Sequence, residues 1–271
     1  RADLMPCGPG DATKRWASTN DFRPEPPHMR TSSTDWVAGV DGSREGWVVA
    51  LWRPQTSTWR VRTVPNVEAL LALPEQPACI GLDMVIGLPD RAVPGGRACD
   101  RAARRLLGHP RSSSVFSPPA YAALHATSHA EAQRLNRATG SDAPGLTIQA
   151  FHLLPKMRDV AAHMTPKRQQ RIREVHPELA FYALNGATPM ADSKHTDAGV
   201  MQRTDVLEAN GCTAFPSVLE THASSAVTAD DLLDAHAACW SAWRIHTGTA
   251  ECLPDKPLPT NARGLHMGIW F

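Results

Sequence analysis

Residues 37–52, "VAGVDGSREGWVVALW", are two short apolar runs joined by a polar, glycine-rich turn, the pattern of a β-hairpin. "TWRVRTV" (58–64) alternates with period two and predicts a third strand with one polar face. A short helix, "PNVEALLAL", follows. The continuous apolar run "ACIGLDMVIGLP", ended by Gly and Pro, then predicts a strand covered on both faces and paired in parallel through a crossover. Residues 97–107, "RACDRAARRLL", form an amphipathic helix, and Ser128 with Glu131 has the spacing of a capping box ahead of "AEAQRLNRA". "RIREVHPELAF" reads as a second central strand running into the helix "LAFYALNG", which Gly186 terminates. Thr228, with Asp231 three residues on, caps the long helix "ADDLLDAHAACWSAWRIHTG", and Gly248 ends it. "GLHMGIWF" is a last strand. The order predicts an α/β fold: a mixed central sheet with three antiparallel opening strands and flanking helices.

Residues 1–35 have no hydrophobic period and are rich in Pro, Asp, Arg and Ser, as in a disordered leader or an expression remnant. Residues 36–271 are then one domain with a helical insertion at about 90–170. No run approaches the ~18 apolar residues of a membrane span and no secretory signal opens the chain, so a cytoplasmic protein without a membrane partner is expected. The six cysteines form no C-x-x-C pair, which argues against a disulfide framework and a structural zinc site. A net charge of +1 gives no global basic field for nucleic acid, so such a partner would need a local patch.

Against this background the carboxylates stand out. Asp41 ends the first strand where a valine would pack better. Asp83 lies within an apolar strand, where an ionised carboxylate costs several kcal/mol unless it finds a partner, a shifted pKa or a metal ion. Glu178 follows "REVHP". Asp230 and Asp231 suit the positive end of a helix dipole as readily as a site, whereas Asp234, three and four residues on, shares their face. A hydrogen bond to the turn is the plain alternative for Asp41.

The succession of hairpin with Asp, third strand, helix, strand with acid, helices and a late helix with paired acids resembles the ribonuclease H-like fold. The strings "VAGVDGSREGWVVA", "IGLDMVIGLP", "CDRAARRLLGHPRSSSVFSPP", "LLPKMRDV", "REVHPELAFYALNG", "SKHTDAGVMQR" and "DDLLDAHAACWSAWR" are similar, in order, to the motifs of the family named domain of unknown function 429, described as predicted RNase H-like nucleases. The resemblance covers about residues 36–270. Ser43, Arg44 and Glu45 stand where that family more often has Cys-Arg-Gly, and "DMVIG" replaces "DMPIG". It implies that Asp41, Asp83, Asp231 and Asp234, with Glu178 as a further acid, form a catalytic centre holding Mg²⁺ or Mn²⁺, hard cations that take oxygen ligands. Two ions about 3.5–4 Å apart would then serve in-line hydrolysis of a phosphodiester.

The substrate, nucleic acid or another phosphoester, would be met by basic groups. Arg97, Arg101, Arg104 and Arg105 share one helix face, either a solvated stripe or a phosphate contact, with Arg111 just beyond. Arg44 adjoins Asp41. Lys156 and Lys194 fall at family motif positions that suit substrate contact, and His176 is either an acid–base group or a hydrogen-bonding strut. Trp240 and Trp243 read as core. Two other functions fit the same fold: a catalytically silent nucleic-acid-binding protein and an ATP-dependent phosphotransferase. The glycine-rich phosphate turns of the latter are not evident.

Overall fold

A computed structural model of the chain describes residues 35–212 and 215–271. The expected leader lies outside the described residues except for Asp35. The central sheet has five strands: β1 (Val37–Ser43), β2 (Gly46–Arg53), β3 (Thr58–Val64), β4 (Cys79–Leu82) and β5 (Ile172–Glu174). Their spatial order is β3-β2-β1-β4-β5. β2 is antiparallel to both β1 and β3, which do not pair with each other, while β4 is parallel to β1 and to β5. The sheet is therefore mixed.

Ten helices surround it among the described residues. Between β3 and β4 runs α1 (Val67–Leu71), capped by the Asn66 side chain. Between β4 and β5 run α2 (Ala98–Leu107), α3 (His129–Arg137), α4 (Ile148–His152), α5 (Leu154–His163) and α6 (Pro166–Gln169). After β5 come α7 (Pro177–Leu184), α8 (Asp197–Ala209), α9 (Phe215–His222) and α10 (Ala229–Thr247). Two short strands, β6 (Cys252–Leu253) and β7 (Ile269–Trp270), form a separate antiparallel pair.

The period of two along β1 divides the core. Ala38 and Val40, with Trp47, Val49, Ile80 and Leu82, point to the face covered by α1 and α5. Val37, with Val48, Ala50 and Cys79, points to the face covered by α7 and α10. Gly39 and Asp41 follow Val37 on that second side, as Gly81 follows Cys79. Gly39 and Gly81 are register partners on adjacent parallel strands. α10 lies on this bare strip: a Cβ at Gly39 would sit 2.0 Å from Cys239 N and 2.1 Å from the Ala235 carbonyl oxygen, and one at Gly81 2.5 Å from the Ala238 carbonyl oxygen. The helix meets the strip with Ala235, Ala238, Cys239 and Ala242, all buried. Backbone thus packs against backbone.

Several sequence expectations change in detail. The strand around Asp83 stops at Leu82: the Asp83 N–H still bonds the Val40 carbonyl as in the ladder, and beyond it the chain leaves the sheet. "GLHMGIWF" contributes only the two residues of β7, outside the central sheet, and touches it through a bridge from Trp270 to Val175. "RIREVHP" does form a strand, but at the sheet edge. At α3 the box is half made: Ser128 accepts the Glu131 N–H, whereas Glu131 turns to Thr127. Thr228 and Asp231 cap α10 reciprocally, and Gly248 closes it at φ 76°.

The tight seat of α10 generates the first prediction. Gly39→Ala should destabilise the protein by about 3 kcal/mol or more, since neither β1 nor α10 can yield 1 Å without losing its own ladder. Gly42→Ala, whose Cβ would meet nothing closer than the Lys156 side chain at 3.7 Å, should cost under ~1 kcal/mol. Urea unfolding of the two variants measures the difference, and equal costs would refute the seat.

Candidate metal centre

Asp41 sits two residues beyond Gly39 on β1, and Asp83 two residues beyond Gly81, past the end of β4. The register that pairs the glycines therefore brings the two carboxylates side by side at the carboxyl ends of parallel strands. Asp234 precedes Ala235, the residue whose carbonyl rests on Gly39, so the same helix contact carries a third carboxylate to the place. One oxygen from each of Asp41, Asp83 and Asp234 lies within 4.8 Å of the others. Neither His nor Cys belongs to this group, and three carboxylate oxygens are a donor set for a hard cation. A buried acidic triad of this kind could hold a metal ion.

The electrostatics agree with the geometry. Burial pushes the Asp41 carboxyl well above its ordinary range, and the charges of Asp83 and Asp234 push it further, against the pull of Lys194. Burial, then Asp234, raises Asp83 to about 8. Asp234 rises to about 6, again chiefly through burial, with Lys194 holding it down. Three like charges in so little water favour keeping protons or admitting a cation.

The triad opens into a cavity of about 430 Å³, also lined by Asp230, Asp231, Lys156, Lys194 and His176. Asp231, expected among the ligands, is otherwise engaged: its Oδ2 accepts the Thr228 N–H at 2.9 Å as part of the helix cap. Lys194 lies 2.5 Å from Asp234 Oδ2 and 2.8 Å from Asp230 Oδ2. Lys156 donates to the Gly46 carbonyl and rests 4.6 Å from the Trp47 ring centroid. His176 caps α7, its Nδ1 accepting the Glu178 N–H at 3.3 Å, and its Nε2 faces the Ser114 carbonyl. Burial lowers its pKa, so the neutral ring serves as a strut.

Other candidates stand apart. Glu178 is buried against Arg203 at 2.5 Å and lines a neighbouring cavity, although it is near enough to raise Asp234. Arg111 lines that second cavity too and donates to the Asp192 carbonyl. Arg44 and Arg105 are exposed, and neither lines the triad's cavity. The arginine face of α2 is taken up by local structure: Arg101 bonds the Gly96 carbonyl, and Arg104 bonds the carbonyls of Gly95 and Val115.

Arg97, read with that stripe, is instead buried. It bonds Asp100 Oδ1 at 2.7 Å and Glu174 Oε2 at 2.9 Å, and all three residues line the triad's cavity. Glu174 also accepts the Ile86 N–H and so fixes the turn that follows Asp83. Sequence reasoning passed over Glu174 and Asp100. The signal was an acid inside the predicted strand "RIREV", of the same kind as Asp83. Trp243 packs edge-on against Trp52, and Trp52 stacks on Trp59, which keeps these rings in the core.

Fold and site together define a mixed α/β protein with a three-aspartate centre over the ends of its parallel strands. The chain belongs to the family described as Protein of unknown function (DUF429), whose model matches residues 39–258. No curated protein and no solved structure matches the chain. Among the described residues no helix is long and apolar enough to cross a membrane.

The raised carboxyls fix how stability depends on pH. Asp83 and Asp234 bind protons more tightly folded than unfolded, where a carboxyl titrates near 4. Their contribution is complete below that value and is lost as pH rises towards 8. Metal-free protein in a chelator should therefore melt at progressively lower temperature from pH 5 to pH 8. Asp83→Asn should flatten the profile and melt above wild type at pH 8; parallel profiles for the two proteins would count against the clustered charges.

Proposed function

We propose that the protein is a metal-dependent phosphodiester hydrolase, a nuclease or phosphodiesterase, built on a ribonuclease H-like fold. The observation that carries this reading is the convergence of Asp41, Asp83 and Asp234 from two parallel strands and a helix. The strand order β3-β2-β1-β4-β5, with β2 antiparallel, supports the fold assignment. Asp41, Asp83 and Asp234 would hold Mg²⁺ or Mn²⁺. Such an ion, when bound, supplies Lewis acidity towards a phosphoryl oxygen and lowers the pKa of water.

The chain's own residues do the rest. Lys156 and Lys194 place ammonium groups in the cavity walls, where they suit phosphate oxygens. His176, neutral and tied at both nitrogens, orients the start of α7 beside them. The buried cluster of Arg97, Asp100 and Glu174 keeps the Asp83 turn in place. Nucleic acid and smaller phosphoesters are both within the chemistry of this site.

The test combines binding and turnover. Mn²⁺ should raise the melting temperature of wild type, since a ligand at a hundredfold its Kd adds about 2.7 kcal/mol. Labelled single-stranded, duplex and hybrid substrates, with a small phosphodiester beside them, should be cleaved only with the ion. Asp41→Asn should lower cleavage about 100-fold or more, because removing a ligand should cost at least as much as disturbing the groups behind one. Its metal-free stability should equal or exceed that of wild type. Nucleic-acid binding without turnover would favour the silent binder, and ATP-dependent phosphate transfer the phosphotransferase.

A further inference from the structure

Lys194 enters the acidic centre from the turn ahead of α8, whose N-terminus Thr196 caps. Its ammonium bridges two residues of α10, 2.8 Å from Asp230 Oδ2 and 2.5 Å from Asp234 Oδ2. Asp234 is thus shared, since it also contributes an oxygen to the triad with Asp41 and Asp83. A second divalent ion beside the first would need further carboxylates, and the remaining acids in the cavity wall on that side are Asp230 and Asp231. Both are occupied. Asp231 Oδ2 holds the Thr228 N–H, and Asp230 Oδ2 holds Lys194. The other acids in the wall, Asp100 and Glu174, are bound to Arg97.

Resting on the metal-dependent reading above, we propose that the Lys194 ammonium takes the place of a second metal ion. The centre then binds one divalent ion, between Asp41, Asp83 and Asp234, and Lys194 presents the second positive charge to the phosphoester. The side chain suits this place physically. It is a compact point charge with three donors, two of them used on Asp230 and Asp234, which leaves one for a phosphate oxygen. Lys194 and Asp230 each keep about a quarter of their side-chain surface exposed (26 % and 27 %) and Asp234 only 6 %, so salt screens the Asp234 pair less than the Asp230 pair.

The experiment counts ions. The full chain is titrated with Mn²⁺ alone; calorimetry gives the number bound, and electron paramagnetic resonance reports whether bound ions are spin-coupled neighbours. Wild type and Lys194→Arg should each bind one uncoupled ion. Lys194→Met releases Asp230 and Asp234 and should bind two, with the coupled signal of a close pair. Two coupled ions in wild type would overturn the inference and leave the hydrolase reading intact, whereas no bound ion in wild type would remove both. A single ion in Lys194→Met would show that the lysine does not hold the second position. Should Lys194→Met fail to fold, Lys194→Gln serves the same comparison, and the wild-type count alone still separates one ion from two.

Discussion

The contact on which the rest depends is α10 lying directly on Gly39 and Gly81. Side chains normally fill the space between packed layers, which for stacked sheets is about 10 Å. Here two glycines in register remove that spacer, and the backbone of Ala235, Ala238 and Cys239 comes down onto the strands. Three consequences follow from this one approach. The helix is fixed along its axis, because only an alanine-rich face fits the strip. The strands on either side are tied together, since one helix bridges β1 and β4. Asp234 is carried to the level of Asp41 and Asp83, each of which stands two residues past its glycine.

That approach concentrates charge that the fold must then offset. Three carboxylates within 4.8 Å of one another would repel strongly if all were ionised in so sheltered a place. Three cationic side chains lie in the cavity wall, and Lys156 among them rests against Trp47. Lys194 pairs with Asp230 and Asp234, and Arg97 pairs with both Asp100 and Glu174, the latter holding the Ile86 N–H in the loop after Asp83. None of these makes an ion pair with Asp41, although Lys194 draws its carboxyl down; Asp41 accepts the Gly42 N–H at 2.7 Å, and burial with the charges of Asp83 and Asp234 pushes it well above its ordinary range.

Much of this was legible along the chain, in a particular way. Local signals placed the hairpin, the capped helix α10 and the helix α2, because caps and periodicity act within a few residues. Asp41 and Asp83 declared themselves as acids in apolar surroundings, and Asp234 by its place on the helix face. What pairing decides was hidden. The glycines of "GVDGSREGW" read as turn formers, yet Gly39 serves the helix seat, and the repeated Gly-x-Asp of "GVD" and "GLD" gains meaning only once β1 and β4 lie in register. Arg97 looked like its neighbours Arg101 and Arg104, since helical spacing cannot show that one arginine of a stripe turns inward to an acid 77 residues away. Asp231 satisfied both a capping pattern and a ligand pattern, and the structure gives its Oδ2 to the cap while the residue still lines the cavity.

The distribution of cost separates structural from chemical purpose. Arg97, Asp100 and Glu174 are buried ions that satisfy one another, and a buried pair of that kind is explained by the turn it fixes. Asp41 and Asp83 receive no such satisfaction from cationic side chains, although valine at either position would continue the apolar strand and strengthen the sheet. A local rule broken without an internal partner points to something outside the chain. The direction of the broken rule narrows the choice: negative charge gathered at the ends of parallel strands, with the ammonium groups of Lys156 and Lys194 in the same cavity wall, suits a cation together with an anionic substrate. This asymmetry between the satisfied cluster and the Asp41–Asp83 pair, which has no ion-pair partner among the described residues although both line one cavity, is the strongest physical support for the metal-dependent reading.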